Sequence, residues 1–144
     1  MSFVITIGRQ YGSGGRFIGK KLAELLGVNF YDNELITTAA TQSGLSKAVL
    51  DNYDEKKDGF FTGVVPSSFG ADMSLSQKVF LAQFEAIKAI ADRESCVIVG
   101  RCADYVLREN PNVVNIFITA PIEARVERAV KYYNLDTKKA KETI

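Results

Sequence analysis

The chain contains no histidine, which removes histidine-based triads, histidine zinc sites and histidine general bases from consideration. It holds only two cysteines. Cys96 lies inside an apolar run and Cys102 just beyond it; such sparse thiols fit small buried hydrophobes in a reduced, cytoplasmic protein better than a disulfide scaffold. No apolar stretch approaches the roughly 20 residues a membrane helix needs, and the opening MSFVITIG has no basic leader region, so an unexported protein without membrane contact is expected. An excess of charge is missing too: 18 Lys and Arg against 17 Asp and Glu leave a formal charge of +1. That balance gives no general ground for a nucleic-acid partner, and any affinity for anions must be local.

What is present, 144 residues with 47% hydrophobic content, suffices for a single domain with a sizeable core. The organising stretch is Phe3 to Leu26. A short apolar run (Phe3, Val4, Ile5, Ile7) meets four glycines (Gly8, Gly12, Gly14, Gly15), and apolar residues then recur at helical spacing through Phe17 or Ile18, Leu22, Leu25 and Leu26. This reads as buried strand, glycine loop and helix. Clustered glycines let backbone N–H groups converge, and a helix N-terminus adds unpaired N–H groups and a positive dipole end, so the natural guest is a phosphate.

Two loop types fit the glycines. A Walker A loop places Gly14 at its second glycine and Gly15 where its lysine belongs, leaving Arg16 or Arg9 to supply the charge. A dinucleotide loop uses Gly8, Gly12 and Gly14, with Asp32 at the distance of a ribose-binding acid. A plain strand-to-helix turn is the third reading.

Further along, Gly27 stops the first helix and Val28 to Tyr31 form a short strand ending at Asp32, which can cap a helix over Asn33 to Thr41 or meet a ligand. Ser46 can cap a short helix through Tyr53. The segment Asp51 to Asp72 is rich in Gly, Ser and charge yet carries Phe60, Phe61, Val64, Val65 and Phe69, the pattern of a mobile lid or of a packing and dimer-contact segment. Ser74 and Gln77 have capping-box spacing for a long helix whose apolar face is Val79, Phe80, Phe84, Ile87 and Ala91. Gln83 and Glu85 beside that face read as surface or as ligand contacts. Strands over Cys96 to Val99 and Val113 to Ile118 are continuously apolar, as in a parallel sheet covered on both faces. Helices over Ala103 to Arg108, Ile122 to Tyr133 and Thr137 to Ile144 complete an α/β, doubly wound pattern whose ligands lie at the carboxyl ends of the strands.

At those ends stand Arg101, directly after a buried strand, and Asp104, which can hold a magnesium-bound water, orient Arg101, accept a proton or cap a helix. Arg125 and Arg128 share one helix face, where Glu123 and Glu127 could pair with them instead. Arginines gathered around a phosphate-cradling loop match phosphoryl transfer, which is mostly positioning and charge neutralisation.

The segments GRQYGSGGRFIGKKLAELLGVNFYD, VIVGRCADYVL and NIFITAPIEARVERAV, taken in order, resemble the cytidylate kinase-like family of P-loop proteins, relatives of nucleoside monophosphate kinases. The resemblance covers nearly the whole chain. It implies a P-loop NTPase, nucleoside monophosphate kinase-like three-layer sandwich over residues 1–144, with residues 42–94 covering the acceptor. It implies ATP with Mg²⁺ as donor and a nucleoside monophosphate such as CMP as acceptor, with homo-oligomers allowed. By matched position, Gly12, Ser13, Gly14, Gly15, Arg16 and Phe17 resemble the phosphate loop. Arg101 resembles the acceptor-binding arginine, joined by Asp32 and Arg125. Arg16, Arg101, Asp104 and Arg128 become the catalytic candidates, and Asp104 the metal ligand.

The chain departs from true cytidylate kinases in three places: Gly15 stands for the loop lysine, Cys102 for the acid after Gly-Arg, and Asp32 to Ile36 carry no arginine. Relatives also continue into a lid and a last strand. A nucleotide-binding module without catalysis is therefore the alternative. A short-chain dehydrogenase, with Tyr53 and Lys57 as its pair, is a distant third because that pair lies too near the loop and the chain is short for that fold.

Overall fold

The computed structural model describes residues 2–42, 75–100 and 102–144. The helix expected after Ser46, the segment Asp51 to Asp72, the cap Ser74 and Arg101 lie outside the described residues, as does the Tyr53 and Lys57 pair.

In chain order the elements are β1 (Val4–Arg9), α1 (Gly15–Leu26), β2 (Asn29–Tyr31), α2 (Asn33–Gln42), α3 (Leu75–Arg93), β3 (Cys96–Val99), α4 (Ala103–Val106), β4 (Val113–Ile118), α5 (Ile122–Tyr133) and α6 (Thr137–Thr143). The strands form one parallel sheet in the order β2-β3-β1-β4. Val4 pairs with Cys96 on one side and Val113 on the other, so the strand that feeds the glycine loop is central.

Both faces of the inner strands are covered, which gives the three-layer α/β architecture. On one face Val4, Cys96 and Ile98 pack with Ile36 of α2, Ile87 and Ile90 of α3, and Val106 of α4. On the other, Ile7, Val97 and Val99 pack with Ala23 of α1, alongside Leu22 and Phe30. Burying such a side chain contributes about 1.5–3 kcal/mol, against about 0–1 kcal/mol for an exposed ion pair such as Lys21 with Glu24, so the sheet core holds the fold together. Among the described residues no helix is long and apolar enough to cross a membrane.

Three expectations need correction. Helix α1 does not bury Phe17, Ile18, Leu25 and Leu26, which are exposed; it buries Gly15, Gly19 and Ala23. The helix lies so close to the sheet that a Cβ at Gly19 would stand 2.6 Å from Val99 Cγ2, leaving room only for small residues. Helix α3 exposes Val79 and Phe80 and turns Ala82, Gln83, Ala86, Ile87 and Ile90 inward. Gln83 is buried because its Nε2 donates to Thr37 Oγ1 at 3.0 Å and Asn33 Oδ1 at 3.4 Å, linking α3 to α2. Finally, β4 is apolar but exposed, since it is the sheet's edge among the described residues.

Candidate functional site: a glycine loop ringed by arginines

Residues 10–14 join the end of β1 to the start of α1. Gly12 (φ 78°) and Gly14 (φ 84°) adopt the left-handed backbone that favours glycine. Gln10 N donates to Ile118 O at 3.1 Å, and Ala120 N to Gln10 Oε1 at 3.4 Å, fastening the loop's start to the end of β4. Ser13 N donates back to Gln10 O at 3.1 Å, closing the turn. A Cβ on Gly12 would stand 2.6 Å from the carbonyl oxygen of Arg125, so helix α5 presses directly on the loop.

Helix α1 opens at Gly15, with Gly14 as its N-cap and no side-chain cap. Gly15 N meets Ser13 Oγ at 3.4 Å, and the first helical bond runs from Ile18 N to Gly14 O. The N–H groups of Arg16 and Phe17 precede that bond and stand at the positive end of the helix dipole, as an anion site requires.

The arginines divide by task. Arg125 is buried and donates from Nε to Tyr11 O at 2.8 Å, which makes it a brace beneath the loop. Arg128, one turn later on α5, lies over the loop: a Cβ on Gly14 would stand 3.1 Å from its Cζ and its Nη1. Arg9 leaves β1 and crosses Gly15, whose Cβ would stand 2.7 Å from Arg9 Cβ and 3.2 Å from its Cδ. Its guanidinium ends at Gly100, at the carboxyl end of β3, where Nη1 is 3.1 Å from the place of a Cβ. Neither Arg9 nor Arg128 has a carboxylate partner among the described residues. Two guanidinium groups without a carboxylate partner among the described residues thus stand near one helix start that has no side-chain cap, an arrangement that attracts a polyanion.

Arg16, named from sequence as a replacement for the lysine, turns elsewhere. Its Nη2 pairs with Asp32 Oδ2 at 2.8 Å. Asp32 is buried and uses Oδ1 to accept from Leu35 N at 3.0 Å, so one carboxylate caps α2 and holds Arg16. Asp104 is exposed in the first turn of α4. Among the described residues no group of three potential metal ligands comes together. Arg125 and Arg128 form no pair with Glu123 or Glu127 among the described residues.

Sequence reading left out an aromatic tether. Tyr11 and Phe17 on the loop side stack against Tyr133 and Tyr132 of α5, with ring centroids 5.3 and 5.4 Å apart, and the Arg128 guanidinium carbon lies 5.9 Å from the Tyr132 ring centre. The two ring contacts join positions more than 100 residues apart, so no local pattern announces them.

Comparison with known proteins adds three findings. The cytidylate kinase-like family matches residues 4–144. A cytidylate kinase of Methanopyrus kandleri is 25% identical over 150 residues, covering 100% of this chain and 69% of that protein. A crystal structure of an uncharacterized protein from Eubacterium ventriosum superposes with a TM-score of 0.67 at 30% identity, covering 96% of this chain and 66% of that one. The chain thus spans about two thirds of each relative.

Proposed function

Because the chain belongs to the cytidylate kinase-like family, we propose that it transfers the γ-phosphoryl group of ATP to a small acceptor, a nucleoside monophosphate such as CMP. The observation that carries this reading is the uncapped start of α1 at a glycine loop with Arg128 lying over Gly14.

In this reading the backbone from Gly12 to Phe17 receives the donor phosphates, and Arg128 neutralises charge that spreads over the moving phosphoryl. Arg125 contributes by keeping the loop in shape. The acceptor is assigned to the side of Asp32, at the end of β2, and Arg101, which follows β3 in the chain, is the residue proposed to bind its phosphate. An acceptor phosphate oxygen bonds to the γ-phosphorus while the bond to the β–γ bridging oxygen breaks, leaving ADP. The second pKa of a phosphate monoester lies near 6, so the acceptor arrives as a dianion and needs no general base. A protein without histidine is suited to that reaction. Asp104, exposed in the first turn of α4, is the carboxylate that would hold Mg²⁺ brought with ATP, and the metal would supply neutralisation of the donor's phosphate charge.

The second reading is a nucleotide-binding module without catalysis, favoured by the absence of a loop lysine and by the capture of Arg16 by Asp32. Calorimetric titration with MgATP, then CMP, and separately NAD, followed by an assay of CMP-dependent ADP formation, separates the readings. Binding of MgATP, of CMP to that complex, and turnover are expected. MgATP binding without transfer to any nucleoside monophosphate supports the module, and selective NAD binding overturns both.

A further inference from the structure

Laid on the Walker A spacing, the loop reads Arg9-Gln10-Tyr11-Gly12-Ser13-Gly14-Gly15, with arginine in place of the first glycine and glycine in place of the lysine. The two departures occupy the same space. A Cβ at residue 15 would stand 2.7 Å from Arg9 Cβ, 3.3 Å from its Cγ and 3.2 Å from its Cδ, so the stem of Arg9 occupies the space in which a side chain at residue 15 would begin.

We propose that the cation of this loop has moved from its end to its start: Arg9 supplies the phosphate-binding charge, and Gly15 is glycine to let Arg9 through. Arg16 does not compete for the role, because Asp32 holds it. The Arg9 guanidinium is delivered between the loop and the end of β3 beside Gly100, whose φ of 80° and bare Cα leave that space open. A group there reaches from the donor's phosphates toward whatever binds after β3. As a planar fork it can grip two phosphate oxygens where a lysine offers a point charge. Its part in transfer rests on the kinase reading, whereas binding of a polyphosphate at the loop stands without it.

Binding of inorganic tripolyphosphate and of MgATP, and phosphorylation of CMP, test the assignment in the parent chain and in Arg9→Gln, Arg9→Gly and the double variant Arg9→Gly with Gly15→Lys. Circular dichroism and a cooperative thermal transition first establish that each is folded. Arg9→Gln keeps most of the stem but not the charge, and is expected to weaken both ligands roughly 10- to 100-fold, the loss of a hydrogen bond to a charged group. Turnover should fall by about 10²–10³, as for removal of one charge-stabilising donor.

The double variant should regain binding relative to Arg9→Gly, because the lysine stem enters the vacated path. Parent-like tripolyphosphate binding by Arg9→Gln overturns the proposal, as does a folded double variant no better than Arg9→Gly. If the double variant does not fold, Arg9→Gln decides alone. Arg9-dependent tripolyphosphate binding without ATP binding or transfer upholds the assignment and overturns the kinase reading. ATP binding and transfer that survive Arg9→Gln do the reverse. A parent chain that binds neither ligand overturns both.

Discussion

Cys96 is fully buried in β3, and burial, with the Glu94 charge adding to it, pushes its thiol from the ordinary 9.0 up to about 12. The Tyr31 hydroxyl moves up from 10.0 for the same first reason, with Glu94, its hydrogen-bond partner, acting in the same direction. Both groups stay protonated in the folded chain at a pH where the unfolded chain ionises. The Cys96 contribution to stability is therefore complete below pH 9 and is lost as pH climbs toward 12, and that of Tyr31 is complete below pH 10 and is lost above it. Urea midpoints should fall across that range, and Cys96→Ala should flatten the fall. In the native protein a thiol reagent should modify only the exposed Cys102, with Cys96 reacting after denaturation; native labelling of both would show that β3 opens. The burial of Cys96 was legible because it sits in an unbroken apolar run. The path of Arg9 was not, since it depends on an absent side chain six residues away and on the turn that brings Gly15 beneath it.

Helix α1 shows what periodicity leaves out. Its apolar residues are correctly spaced for a helix, and the helix is there, but the spacing points to Phe17, Leu25 and Leu26 while the sheet receives Gly15, Gly19 and Ala23. Hydrophobicity ranks side chains by what they gain from burial and says nothing of how near the backbone must come. At Gly19 the virtual Cβ meets Val99 Cγ2 at 2.6 Å, Ile7 Cδ1 at 3.1 Å and Phe30 Cε2 at 3.3 Å. Gly19→Ala gains about 1 kcal/mol in helix propensity, while overpacking of this kind costs about 1–3 kcal/mol. A net loss of about 1 kcal/mol in urea unfolding with an unchanged m value is the expected outcome. A gain in stability would mean that α1 rides higher above the sheet. By contrast β1, β3, β4 and α5 lie where their apolar runs and Pro121 place them, because their signals are local.

Across the whole molecule, β4 combines an unpaired edge with exposed Val114 and Phe117 on opposite faces, which among the described residues leaves strand and side chains without cover. Its apolar run reads like that of a buried strand because sheet order is a property of long-range pairing. Edges of this composition template association with other strands, so the 144-residue chain should self-associate with rising concentration, and Val114→Lys should suppress this in light scattering without lowering the thermal midpoint. Equal aggregation by the variant would place the sticky surface elsewhere.

The press of Arg125 on Gly12 carries a consequence for the order of events during synthesis. Residues 3–26 leave the ribosome well before the residues that hold their loop, since Ile118, Ala120 and the Arg125 backbone appear about a hundred residues later. A nascent or clipped chain lacking residues 113–133 carries the loop without its brace, so under the proposed function phosphate affinity is acquired late. Under the same proposal, the loop's grip on an anion reports that residues 113–133 have been made and have docked.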